Sequence, residues 1–210
     1  AGVYVPDEGF LKSASELCKK YNVLFIADEV QTGIARTGKL IACHHENVQP
    51  DILILGKALS GGMYPVSAVL ADDEIMNVIH PGQHGSTFGG NPVACAVAVA
   101  ALNVVEEEKL SERAEELGQI FRKEIQKLIE KTDLITGVRG KGLLNAILIN
   151  DTPESKTAWN LCLALRDNGL LAKPTHGNII RLAPPLVITE EEILDCVKKI
   201  KKTVLEFKRN

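Results

Sequence analysis

The sequence contains no apolar run approaching the roughly 18 residues that would cross a bilayer. It also has no basic excess. Its 24 Lys and Arg stand against 27 Asp and Glu, for a formal charge of -3 and a pI near 6.0, which excludes a surface built to hold a nucleic-acid backbone. There is no CxxC pair. The five cysteines, Cys18, Cys43, Cys95, Cys162 and Cys196, are odd in number and far apart, so a disulfide framework is not expected and a reducing compartment is. The opening segment Ala1–Pro6 has neither a methionine nor a charged leader. It does not read as a signal peptide but as the interior of a longer chain. No internal repeat, low-complexity tract or long linker interrupts the sequence.

The 210 residues, 45% of them hydrophobic, suit one large domain or two small ones. From Gly9 to Tyr21, apolar positions at Leu11, Ala14, Leu17 and Cys18 have helical spacing. Val23–Ala27, Asp51–Leu55 and Val66–Leu70 are short continuous apolar runs, the pattern of strands buried on both faces. Helical and loop connections between them predict an α/β sheet with parallel neighbours. Pro92–Glu107 is rich in Ala and Val, which predicts a buried helix. Leu110, Ala114, Leu117, Phe121, Ile125 and Leu128 mark an amphipathic one. After Asp133 the pattern changes, with strands expected at 134–138, 143–149, 170–173 and 179–182 and helices at 155–167 and 190–207. Thr189 and Glu192 form a capping box for the last of these. This change places a domain boundary near Lys109.

Asp28 and Lys57 each follow an apolar run, so each is expected at the C-terminal end of a strand, where α/β sheets bind ligands. An amine and a carboxylate converging there suit pyridoxal phosphate (PLP) chemistry. The lysine takes up the cofactor aldehyde, and the carboxylate keeps the pyridine nitrogen protonated. An Asp that caps a turn beside an exposed Lys fits the spacing as well. Ser86 and Thr87 lie in a Gly-rich loop before a helix, placed either to bind an anion or to cap the helix. Arg181, in an apolar setting, needs a carboxylate, supplied by a ligand or by an internal ion pair. The adjacent His44 and His45 would diverge on any regular element, and Pro81–Gly82 separates His80 from His84, so no metal site is expected. Arg139–Gly142 could cradle a phosphate or form a turn into the next strand.

Three longer segments occur in order: Ala27–Gly33 (ADEVQTG), Gly56–Gly62 (GKALSGG) and His84–Pro92 (HGSTFGGNP). Together they resemble the class III subgroup of fold-type I aminotransferases. Met63–Leu70, Arg139–Ile147 and Leu165–Ile188 resemble the members of that family that act on ornithine. The resemblance runs over essentially the whole chain. It implies that residues 1–109 are the C-terminal part of a large, mostly parallel PLP-binding domain and that 110–210 are a smaller α+β domain. It implies PLP-dependent transfer of the δ-amino group of L-ornithine to 2-oxoglutarate, giving glutamate 5-semialdehyde and glutamate, a reaction of arginine and proline metabolism. Alternatives within its scope are action on acetylornithine or 4-aminobutyrate, or a truncated, non-catalytic fragment.

The resemblance also implies roles. Lys57 would bind the cofactor covalently and shuttle the proton. Asp28 would pair with the ring nitrogen, Gln31 would hydrogen-bond the phenolic oxygen, and Val30 would pack on one ring face. Ser86 and Thr87 would reach the phosphate held by the neighbouring subunit of a homodimer. Arg181 would bind a substrate α-carboxylate, in competition with a family glutamate upstream of Ala1. The compartment implied is the mitochondrial matrix or the cytoplasm. Complete family members are about twice this long, and this chain alone would leave strands with exposed edges and faces.

Overall fold

A computed structural model describes residues 2–208. The chain divides into two compact units, one of Pro6–Ser111 and one of Ala1–Val5 with Glu112–Asn210.

In the Pro6–Ser111 unit, helix α1 spans Phe10–Lys20, entered from Gly9 in a left-handed conformation at φ 85°. Strand β1 is Ile26–Asp28, β2 is Ile52–Leu55 and β3 is Ala68–Ala71. Strand β1 runs parallel to β2, while β3 pairs antiparallel with it, Leu55 opposite Ala68. The parallel neighbours expected from the sequence are therefore found in one ladder of two. An antiparallel strand added to a parallel sheet is a common arrangement in α/β proteins. The expected burial on both faces does not hold for β1. It has three residues against the five of its apolar run, and Ile26 is 54% exposed. A continuous apolar run specifies what a strand would bury, but within this unit no layer covers that face of Ile26.

Short helix α2 (Asp73–Met76) and helix α3 (Pro92–Glu107) follow. Helix α3 starts where its sequence dictates: Pro92 occupies the first turn, where its missing N–H costs nothing, and the Asn91 side chain accepts from Ala94 N at 2.9 Å. It is not the buried helix expected. Ala94, Ala98 and Val105 are covered, but Val93 and Val99 are each 59% exposed.

The second unit is a helix-backed sheet. Helix α4 (Leu110–Ile129) buries the six predicted apolar positions. Strands β4 (Ile135–Lys141) and β5 (Leu144–Ile149) form a hairpin whose turn, Gly142–Leu143, uses Gly142 at φ 51°. Thus Arg139–Gly142 is the strand end and turn into the next strand. Helix α5 (Thr157–Asp167), strands β6 (Lys173–Thr175) and β7 (Ile179–Leu182) and helix α6 (Glu190–Glu206) complete the unit, with sheet order β4-β5-β7-β6 and every ladder antiparallel. The capping box at α6 is reciprocal: Glu192 N donates to Thr189 Oγ1 at 3.2 Å and Thr189 N to Glu192 Oε2 at 2.8 Å. The three helices α4, α5 and α6 pack one sheet face into a core that includes Phe121, Ile125, Leu161, Ile180 and Ile200. No described helix is long and apolar enough to cross a membrane.

Candidate active site

Parallel pairing of β1 and β2 brings two chemically distinct side chains to one sheet edge. Asp28 is the last residue of β1 and lies opposite Ile54. Lys57 follows β2 by two residues and begins a 3-10 turn, Lys57–Ser60. Both side chains are exposed. Asp28 Oδ1 accepts from Val30 N at 3.1 Å, which fixes the carboxylate at the turn. Neither side chain takes part in an ion pair among the described residues.

The Lys57 backbone is left-handed, at φ 45°. For an L-residue this conformation costs roughly 1–2 kcal/mol, and such outliers concentrate where a side chain must be aimed. Gly56 before it is extended. A Cβ on Gly56 would lie 3.4 Å from Val30 Cγ1 and 3.7 Å from Ser67 Cβ, so Val30 packs directly against the turn that carries the lysine. Gln31, next along, is exposed.

Glu29 escaped the sequence reading. Alternation along β1 exposes Asp28 and buries Glu29, which is 3% exposed. Its carboxylate accepts from Cys43 N at 2.9 Å and from the Thr32 hydroxyl, and its backbone oxygen accepts from Gly33 N at 2.8 Å. Glu29 therefore clamps the turn that presents Asp28, Val30 and Gln31. Burial and the neighbouring Glu29 carboxylate push the Cys43 thiol up to about 12, so it is inert as a nucleophile near neutrality. The only signal for Glu29 in the sequence is the doubled acid after an apolar run, which alternation turns into one acid outward and one inward.

Ser86 and Thr87 are exposed in the loop before α3. The helix is capped by Asn91, leaving the two hydroxyls out of that role. Ser86 Oγ accepts from Gly89 N at 2.9 Å, a local turn. His44 and His45 lie in a 3-10 helix (Ala42–Glu46), where His45 Nε2 is 2.9 Å from Thr37 O.

Arg181 belongs to the other unit, on β7, where it pairs with Ala146 of β5 and Lys173 of β6. It has no ion-pair partner among the described residues. A cavity of about 530 Å³ lies on the helix side of this sheet, walled by Phe121, Leu143, Asn145, Leu170 and Ile188 and bordered also by Lys173 and Arg181. Asn145 and Leu182, directly paired, point to that side, so alternation places the Arg181 side chain on the opposite face. That face also carries the buried cluster of Val3, Leu144, Ala146 and Ile179, and Arg181 is half-buried beside it.

The aminotransferase class-III family profile matches residues 1–204. The chain is similar to rat mitochondrial ornithine aminotransferase, 64% identical over 207 residues, covering 99% of this chain and 46% of that protein. The mitochondrial ornithine aminotransferase of Drosophila melanogaster is 62% identical, with 99% and 47% covered. Among solved structures, an acetylornithine aminotransferase from Elizabethkingia anophelis is 86% identical with a TM-score of 0.96, covering 99% of this chain and 52% of that one. The ornithine aminotransferase of Toxoplasma gondii is 51% identical with a TM-score of 0.93, covering 97% and 48%. The chain therefore spans about half the length of the relatives it matches.

Proposed function

Because the chain belongs to the class III aminotransferases, we propose that the protein transfers the δ-amino group of L-ornithine to 2-oxoglutarate, giving glutamate 5-semialdehyde and L-glutamate. Members of this family depend on PLP. The observation that carries the reading is the placement of Lys57 and Asp28 at the ends of neighbouring parallel strands, with Val30 packed against the lysine's turn. When bound, PLP supplies an aldehyde for the amine and a ring that withdraws electrons from the substrate carbon.

Each side chain then has a definable task. The Lys57 amine holds the cofactor and moves the proton at the substrate carbon. The Asp28 carboxylate retains the proton on the ring nitrogen, and Val30 covers a ring face. Gln31 donates a hydrogen bond to the ring's phenolic oxygen. Ser86 and Thr87 offer exposed hydroxyls to the phosphate held by a second subunit, and Arg181 takes the α-carboxylate of the keto acid in a two-pronged contact. A homodimer follows from this reading, because the exposed Ser86 and Thr87 are assigned to the phosphate of a second subunit. The rat and fly relatives are named as mitochondrial, which favours the mitochondrial matrix; the cytoplasm is the alternative compartment.

A second reading rests on one observation: the solved structure 86% identical to this chain is that of an acetylornithine aminotransferase. The two donors present the same δ-amine and differ at the α-nitrogen, a charged ammonium in one and a neutral amide in the other. Comparing kcat/KM for L-ornithine and N2-acetyl-L-ornithine in the full-length protein separates them. A preference for L-ornithine of a hundredfold or more supports the first reading; the reverse preference establishes the second. Borohydride reduction in the presence of PLP, followed by peptide mapping, tests the site itself. The label is expected on Lys57; a label elsewhere would refute the assignment, and no label at all would mark a non-catalytic chain.

A further inference from the structure

The register of the four-stranded sheet places four residues in one row across it: Arg139 lies opposite Ala146, Ala146 opposite Arg181, and Arg181 opposite Lys173. Directly paired residues project from the same face, so this row carries three cations. The adjoining row adds Lys141 opposite Leu144. No acidic residue occurs in any of the four strands.

Like charges directly opposite one another destabilise an antiparallel pair. Arg181 and Lys173 nonetheless stand in that relation, and neither has an acidic partner among the described residues. Arg139 is anchored differently. Its Nη2 donates to Gly2 O at 2.7 Å and its guanidinium lies 4.0 Å from the centre of the Tyr4 ring. Those contacts fix its position and leave its charge in place. Arg139 and Arg181 are separated in the row only by Ala146, which is fully buried in a small cluster with Val3, Leu144 and Ile179.

A carboxylate offsets the unfavourable pairing, either that of a ligand or that of the family glutamate upstream of Ala1 which gives way to it. The Arg181 fork matches the two oxygens of a carboxylate, while the lysine ammonium supplies a mobile point charge with three donors. We infer that Lys173 is a second cation of the Arg181 carboxylate site and positions the keto acid by its α-carboxylate. The inference rests on the reading above in which Arg181 receives that carboxylate. It does not depend on the amino donor, because both donors considered can be paired with the same acceptor.

The test uses the full-length, PLP-loaded protein with glutarate, an unreactive dicarboxylate, as the calorimetric probe, alongside steady-state kinetics with 2-oxoglutarate. Lys173→Gln is expected to weaken glutarate binding and raise KM for 2-oxoglutarate by about tenfold, the size of one charge-assisted contact. Its kcat should stay within about twofold, and Lys173→Arg should restore binding. Unliganded Lys173→Gln should melt no lower than the parent, since a like-charge pair has been removed. The parent's affinity should fall more steeply with salt than the variant's. Unchanged glutarate binding in Lys173→Gln, with binding lost in Arg181→Gln, overturns the inference and leaves the Arg181 site standing. Unchanged binding in both variants overturns the Arg181 assignment and the inference with it. A lower melting temperature with unchanged affinity in Lys173→Gln would mean that the lysine pairs structurally with another part of the protein, and also overturns it.

Discussion

Gly118 offers a test in which two physical effects predict opposite signs. It sits in the middle of α4, where glycine is roughly 1 kcal/mol worse than alanine on propensity alone. By that argument Gly118→Ala stabilises the protein. Its surroundings argue otherwise. A Cβ at this position would lie 1.9 Å from Gly142 O and 2.5 Å from Gly142 C, in the backbone of the β4–β5 turn. A backbone atom at that distance cannot rotate away, so the helix or the hairpin must shift. The same Gly142 oxygen accepts from Arg122 Nη1 at 3.0 Å and from Asn145 Nδ2 at 3.1 Å, and Arg122 Nη1 also donates to Asn145 Oδ1 at 2.9 Å. Displacing the turn strains that network, which includes an arginine whose burial lowers its pKa. Overpacking costs about 1–3 kcal/mol and a disturbed buried polar group about 1–3 kcal/mol more. After subtracting the propensity gain, the net loss is about 1–5 kcal/mol, a drop in Tm on the order of 10 °C for a domain of this size. Urea unfolding and calorimetry of the variant and parent measure it. A Tm equal to or above the parent's would show that α4 does not press on the hairpin as described.

Other outcomes follow from the site. Lys57→Ala and Lys57→Gly should both abolish covalent PLP attachment, but the glycine variant should be about 1 kcal/mol more stable than the alanine variant, because glycine adopts the left-handed backbone without steric cost; thermal melts of the two decide it. Asp28→Asn in the full-length protein should retain PLP yet slow the donor half-reaction a hundredfold or more, and a rate within twofold of the parent, read by stopped flow, would show the carboxylate to be structural. Arg181→Lys should slow the 2-oxoglutarate half-reaction more than the ornithine half-reaction, since lysine keeps the charge and loses the fork; equal slowing of the two would argue for a structural arginine. Iodoacetamide at pH 8 should leave Cys43 and Cys162 unmodified in the folded protein, their thiols being pushed up to about 12 and about 11 by burial, with mass mapping before and after denaturation as the readout.

The helices α4 and α6 were readable from sequence because each buries one periodic stripe and displays a charged one, so the pattern itself states which side is covered. The exposed faces of β1 and α3 were not. Their apolar runs register only that something should cover them, and coverage depends on elements distant in sequence or absent from the unit. At the site, Asp28 and Lys57 could be located because a polar residue ending an apolar run marks a strand's end. The left-handed backbone of Lys57 could not, since lysine has no preference that announces it. Glu29 was hidden by its neighbour: only the pleat distinguishes the acid that faces outward from the one that holds the turn. The cation row was invisible for a related reason. Arg139, Arg181 and Lys173 become neighbours only through the register of three separate ladders.

The pairing of Asp28 with Glu29 bears on how this segment can change over generations. Ile26, Ala27, Asp28 and Glu29 alternate outward and inward. A substitution at any of them alters one side chain and leaves the others where they were. Gain or loss of a single codon between Phe25 and Asp28 would instead turn the whole end of the strand over. It would carry the exposed carboxylate inward among groups that cannot ionise it cheaply, and leave the turn without its clamp. Variant libraries of this region should therefore randomise identity and hold length fixed. Natural variants that differ here in length should carry a compensating insertion or deletion before Gly33.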